Sequence, residues 1–199
     1  MTNHWNDIAN ADVVMIAGAN PASNHPVAFK HILEARRRGA KIITIDPRYT
    51  RSANRSDLYC RLRPGTDIAF VNGMIRHAIR NGKYHEEYVK WATNAPFLLN
   101  ADFKLTDGVF SGFDAGKRTY DQASWAYEKD ETGVIKADPT LEDPRCVFQV
   151  LKAHVERYTP EAVAAICGCE KKDFLAVAEA FCETGRPDKS GTLLYAMGL

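Results

Sequence analysis

The sequence has no CxxC pair, and its five cysteines, Cys60, Cys146, Cys167, Cys169 and Cys182, are odd in number. A small fold stapled by disulfides is excluded, and a chain of 199 residues has no need of one. Cys167-Gly168-Cys169 is the one close pair, and no partner pair stands at zinc or iron–sulfur spacing. It reads as two small, half-buried residues at a helix end. No apolar run approaches the ~18 residues of a membrane span. Met1 to Ala11 is polar and lacks the apolar centre of a signal peptide or anchor. Neither sign of charge is in excess: 26 Lys and Arg face 25 Asp and Glu, so nucleic acid is not expected as a partner. GxSxG, Walker and HExxH motifs are missing, and no set of side chains reads as catalytic. The six histidines, His4, His25, His31, His77, His85 and His154, are scattered and are expected at surfaces or caps. No internal repeat is visible.

Composition is otherwise that of an ordinary globular chain, with 45% hydrophobic and 26% charged residues. Ala11 to Ala17 (ADVVMIA) is a continuous apolar run stopping at Gly18, the pattern of a strand covered on both faces. Gly18-Ala19-Asn20-Pro21 reads as a turn. A helix is predicted from Pro26 to Arg38, with Pro26 at its first turn and Gly39 at its end. Lys41 to Ile45 (KIITI) is a second strand, which completes a βαβ unit. A short third strand is expected near Asp57 to Leu62. A helix follows Pro64-Gly65, capped by Thr66 or Asp67, with Ile68, Val71, Ile75 and Ile79 as its apolar stripe.

A further helix is expected at His85 to Trp91. From Pro96 to Pro144 the chain turns irregular, with Asp107-Gly108, Ser111-Gly112 and Thr132-Gly133 turns among seven aromatics from Phe97 to Tyr127. Short hairpins packed on something are expected there. Helices are predicted at Arg145 to Arg157, from Thr159-Pro160, and at Lys172 to Thr184. A buried strand is predicted at Thr192 to Met197. These elements define a three-layer α/β fold, a Rossmann-like parallel sheet flanked by helices with a hairpin-rich insertion. The segments read as 1–95 (nucleotide-binding), 96–144 (insertion) and 145–199 (helices returning to the sheet), an incomplete domain of something larger.

In open α/β sheets ligands lie beyond the carboxyl ends of the strands, which directs attention to three turns. Gly18 lets a phosphate or sugar approach the backbone, and Asn20, Pro21, Ser23, Asn24 and His25 follow it. The turn is not GxGxxG, which argues against a standard NAD site. Asp46-Pro47-Arg48 closes the second strand: Asp46 can accept both ribose hydroxyls, and Arg48 can pair with phosphate. Pro64-Gly65-Thr66-Asp67 follows the third strand. A carboxylate at Asp67 matches the adjacent N1–H and N2–H₂ donors of guanine, and helix capping is its ordinary role. Together the three turns would line one nucleotide. Arg36-Arg37-Arg38 is read as complementing a helix dipole, with a phosphate clamp as the lesser reading.

These residues carry a resemblance. Thr2-Asn3-His4-Trp5, Ala11-Asp12-Val13-Val14, Gly18-Ala19-Asn20-Pro21, His25-Pro26, Asp46-Pro47-Arg48-Tyr49-Thr50-Arg51 and Arg63-Pro64-Gly65-Thr66-Asp67-Ile68-Ala69 resemble the large subunit of molybdopterin-dependent formate dehydrogenases. Asp107 to Asp114, Lys117-Arg118, Tyr120-Asp121, Pro144-Arg145-Cys146 and Arg157-Tyr158-Thr159-Pro160 are similar to its respiratory, periplasm-facing branch. The resemblance implies a bis(molybdopterin guanine dinucleotide) cofactor carrying molybdenum or tungsten. It implies formate oxidation to carbon dioxide in anaerobic respiration, with electrons leaving through iron–sulfur clusters to an iron–sulfur beta subunit. It assigns phosphate or pterin-side contacts to Asn20 and Ser23, ribose to Asp46 and guanine to Asp67.

Family enzymes are several times longer. Their four cysteines for a 4Fe–4S cluster, and the selenocysteine or cysteine that binds the metal, lie before the segment matching Met1. Their formate-pocket arginine and second dinucleotide domain lie beyond the segment matching Leu199. None of the five cysteines here matches the metal ligand. The expectation is an internal piece, inactive alone, that needs the remainder of the subunit. A selenocysteine codon read as a stop would explain the left end, and the upstream reading frame tests that. The alternatives are a stand-alone guanine-dinucleotide-binding module without redox chemistry, or a truncated product without function.

Overall fold

The computed structural model describes residues 3–196 and 198. Thr2 of the resemblance and Met197, the expected end of the last strand, lie outside the described residues, as do Met1 and Leu199. The chain forms two compact units. One comprises residues 1–84 and 158–199, the other 85–157.

The first unit is built on a parallel sheet. β1 (Val13–Ala17) and β2 (Lys41–Ile45) are joined by two helices, α1 (Pro21–Asn24) and α2 (Pro26–Arg37). β3 (Leu58–Cys60) leads to α3 (Asp67–Arg80). The other unit contributes α4 (Glu86–Ala92), four two-residue strands and α5 (Val147–Val155). The four strands are β4 (Leu105–Thr106), β5 (Val109–Phe110), β6 (Phe113–Asp114) and β7 (Thr119–Tyr120). The chain then returns through α6 (Pro160–Cys167) and α7 (Lys171–Cys182) to β8 (Gly191–Tyr195). The sheet order is β3-β2-β1-β8, with every neighbouring pair parallel.

The unbroken apolar run of β1 follows from cover on both faces. Val13, Met15 and Ala17 pack with Ile43, Ile45 and Cys60 against Phe70 and Met74 of α3, Val163 of α6 and Phe174 and Val177 of α7. Val14, Ile16 and Ile42 face Phe29, Ile32 and Ala35 of α2 and Ile8 of the 3-10 turn Trp5–Asn10. This is the expected three-layer α/β arrangement.

Local details depart from expectation. Pro21–Asn24, read as turn, forms one helical turn, because Ser23 and Asn24 donate their backbone N–H groups to Asn20 O. Thr66 sits at the N-cap of α3, yet its hydroxyl donates to Arg63 O at 2.7 Å and leaves the helix uncapped by a side chain. Asp67 is the first residue inside the helix. β8 is an edge strand, not a strand covered on both faces: Leu193 is 42% and Tyr195 65% exposed. At its start Asp12 accepts from Ser190 N at 2.8 Å and pairs with Lys189, which clips β8 to β1.

The second unit holds two hairpins. Asp107 and Gly108 both have positive φ, as a two-residue connection between β4 and β5 requires. Phe110 meets Trp125 at 5.1 Å between ring centroids, Tyr120 meets the same indole at 5.1 Å, and the indole donates to Ser111 O. The aromatics of the irregular stretch thus pack on one another as a cluster, with Phe110, Phe113 and Tyr120 still exposed. No helix of the described residues is long and apolar enough to cross a membrane.

Candidate nucleotide-binding site

Because β1, β2 and β3 run parallel, their carboxyl ends share one edge of the sheet. A cavity of about 900 Å³ opens there, within the ~300–1,000 Å³ range of small-molecule pockets. Gly18, Asn20, Pro21 and Asn24 line it from the first turn, Asp46 and Arg48 from the second, and Leu193 to Ala196 from the carboxyl end of β8 and the residue after it. Gly18 has φ +56°, and a Cβ there would stand 2.5 Å from Gly198 O, so glycine is required twice over. Its N–H continues the ladder by donating to Ile45 O.

Asp46 is 4% exposed. Its Oδ1 accepts from Arg48 N at 2.8 Å, which fixes the carboxylate across the Asp-Pro bend. Among the described residues Oδ2 receives no hydrogen bond and is not sealed from solvent, so one oxygen of a cavity-lining carboxylate is open to a ligand. Tyr59 donates its hydroxyl to Asp46 O at 2.9 Å and stacks edge-on against Tyr49. Burial, and then the Asp46 charge, push the Tyr59 phenol up, which keeps it a donor. Arg48 is exposed at the rim.

The remaining expected residues divide. Ser23 is exposed and accepts from Asn20 Nδ2 at 2.9 Å, and Pro47 lies in the bend. Gly65, Thr66 and Asp67 stand on the same sheet edge, after β3, but do not line this cavity. Asp67 instead borders a small apolar void of about 30 Å³ with Met15, Phe70 and Leu193. Its carboxylate has no hydrogen-bond partner among the described residues. Gly65 has φ +79° and open space around it, so it serves the turn.

Three contributors escaped sequence reasoning. Trp5 lines the cavity, its ring 5.6 Å from that of His25, with no local signal beyond the Asn3-His4-Trp5 string. The β8 residues come from the far end of the chain. Ser52, fully buried, ties the two turns together, and nothing in Thr50-Arg51-Ser52-Ala53 marks it. Arg36 and Arg38, weighed as a phosphate clamp, are spent at the opposite end of α2. Arg36 reaches Arg55 O and Asp57, and Arg38 reaches Asn10 and Glu34.

Residues 1–187 match the molybdopterin oxidoreductase family. The chain belongs to that family.

Relatives agree along the whole chain. A formate dehydrogenase subunit alpha of Megalodesulfovibrio gigas is 48% identical over 198 residues. The nitrate-inducible formate dehydrogenase major subunit of Escherichia coli is 52% identical over 199. Each alignment covers 100% of this chain and 20% of the relative, so this chain spans about a fifth of their length. An F420-dependent formate dehydrogenase subunit alpha of Methanocaldococcus jannaschii is 28% identical over 199 residues. Acetylene hydratase from Pelobacter acetylenicus shares the fold, with a TM-score of 0.60 over 95% of this chain and 18% of that one, at 23% identity.

The cavity's chemistry suits the phosphorylated part of this family's cofactor. It offers a glycine turn, amide and guanidinium donors for anionic oxygens, and a carboxylate acceptor for hydroxyls. The cysteines stand apart from it. Cys167 ends α6 and Gly168 adopts the left-handed cap, with the Cys167 thiol facing Thr66 O at 3.5 Å. Burial pushes the thiols of Cys60, Cys167 and Cys169 up. Among the described residues no three His, Cys, Asp or Glu side chains group as metal ligands.

Proposed function

We propose that this cavity receives the guanine dinucleotide arm of a molybdopterin cofactor, and that the chain is the nucleotide-binding segment of a formate dehydrogenase catalytic subunit. One observation carries the reading: Asp46 lines the cavity, buried, with one carboxylate oxygen unspent. When bound, the cofactor would supply the molybdenum or tungsten centre for oxidising formate to carbon dioxide, with loss of two electrons and one proton. The residues of this chain bind and orient. Asp46 Oδ2 accepts from ribose hydroxyls. Gly18 lets phosphate approach the turn, and Asn20 and Arg48 donate to its oxygens. Asp67, at the β3 end of the same edge, accepts from guanine N1–H and N2–H₂.

The remaining parts of the proposal rest on the likeness to formate dehydrogenase subunits. They are the second dinucleotide of a bis form, the 4Fe–4S cluster and metal ligand supplied outside this segment, an iron–sulfur beta subunit as partner, and a periplasmic, respiratory setting. The chain by itself is then inactive toward formate.

Calorimetric titration with guanosine diphosphate tests the binding. The chain is expected to bind it, and Asp46→Ala to weaken binding by roughly 10- to 100-fold, as loss of a charge-assisted hydrogen bond implies. Equal affinity in Asp46→Ala removes the reading.

A further inference from the structure

Both binding turns depend on a residue that touches neither solvent nor the cavity. Ser52 is completely buried, in the loop that follows Asp46-Pro47-Arg48. Its backbone N–H and its hydroxyl both donate to Asn20 Oδ1, at 3.2 and 2.9 Å. Its Oγ accepts from Ala22 N at 3.1 Å. On the other side Ser56 Oγ donates to Ser52 O at 3.0 Å and lies 2.6 Å from the hydroxyl of Thr44, a buried residue of β2. A chain of polar contacts therefore runs from the sheet, through Ser52, to the first turn.

This arrangement determines which way the Asn20 amide faces. A backbone N–H can only donate, so the Asn20 atom beside Ser52 N must be the oxygen. The nitrogen is thereby turned away from Ser52. One of its hydrogens goes to Ser23 Oγ at 2.9 Å, and the other remains for the cavity that Asn20 lines. We propose that Ser52 is a positioning residue: it latches the second binding turn to the first and holds Asn20 so that a donor, and not an acceptor, meets the ligand. The selectivity that follows is for an anionic, acceptor-rich group such as a diphosphate. This rests on the nucleotide reading above for its ligand, though not for the latch.

Two readouts separate the latch from that reading. Hydrogen exchange at the Ala22 amide reports the Ser52 contact without any ligand, and guanosine diphosphate titration reports the donor. In Ser52→Ala, Ala22 exchange is expected to speed at least tenfold and affinity to fall about tenfold. Asn20→Asp keeps an oxygen facing Ser52 but removes the outward N–H. Ala22 protection should survive in it while diphosphate affinity drops at least tenfold. If Ser52→Ala does not fold, Asn20→Asp decides: unchanged affinity overturns the proposal. If the unmodified chain binds no guanosine diphosphate, the nucleotide reading falls, and the latch is judged on exchange alone. Unchanged Ala22 protection in folded Ser52→Ala overturns it in every case.

Discussion

Asp67 presents a choice between two roles that single substitutions separate. As the first residue inside α3 it favours the helix dipole, and its carboxylate has no hydrogen-bond partner among the described residues. If it meets guanine, Asp67→Ala should lose two charge-assisted bonds, about 3 kcal/mol, and guanosine over adenosine diphosphate preference should fall roughly 100-fold. Asp67→Asn keeps one acceptor and should lie between. If melting temperature falls while nucleotide preference stays, Asp67 serves only the helix. The cysteines give a second residue-scale prediction. Four are buried and Cys169 half-buried, and burial pushes all five thiols up, Cys182 to about 11. An aromatic disulfide reagent at pH 7 should label the native chain slowly and all five thiols after denaturation, and a fast native thiol would contradict the packing. At this scale the places of Gly18 and Asp46 at the carboxyl ends of β1 and β2 were legible because strand ends are marked locally. Trp5 and Ser52 were not, because their roles come from tertiary neighbours.

Among the elements, α3 is held most closely where it lacks a side chain. A Cβ on Gly73 would stand 2.5 Å from Val163 Cγ2 of α6 and 2.9 Å from Phe174 Cζ of α7. Gly73→Ala gains about 1 kcal/mol of helix propensity but overpacks at about 1–3 kcal/mol. A lower melting temperature is expected, and a raised one would show that α6 and α7 can yield. In the hairpin unit Asp138 accepts from Thr140 Oγ1, Thr140 N, Glu142 N and Asp143 N, and the Thr140 hydroxyl first, then the Asp143 amide, lower its pKa to about 2. A depressed carboxylate contributes its stability above its unfolded value near 3.8 and loses it as pH falls through about 2. The amides of Thr140, Glu142 and Asp143 should therefore titrate together between pH 4 and 2, and a midpoint near 4 would deny the turn its role. The strands and long helices of the sheet unit were readable because β1 alternates between two covered faces and α3 carries a stripe. The apolar letters of β8 marked an edge strand beside β1 but suggested more burial than it has.

For the whole molecule, the βαβ order, the parallel sheet and the family were all visible in the strand-end turns. By compactness α4 and α5 belong with the hairpin stretch, in the unit 85–157. Helix periodicity does not say which body a helix packs on. The relatives are five times longer, and the proposal assigns this chain to binding and the rest of a subunit to redox chemistry. Purified chain given cofactor should reduce no dye with formate, and reduction well above a cofactor-only blank would contradict that division. The central claim is narrower, that one nucleotide lies across the β1 and β2 turns. Mapping amide chemical shifts during a guanosine diphosphate titration tests it most directly. The account predicts that the largest changes fall on Gly18 to Asn24 and Asp46 to Arg48; saturable binding that leaves these amides unmoved, or moves residues elsewhere instead, would contradict it.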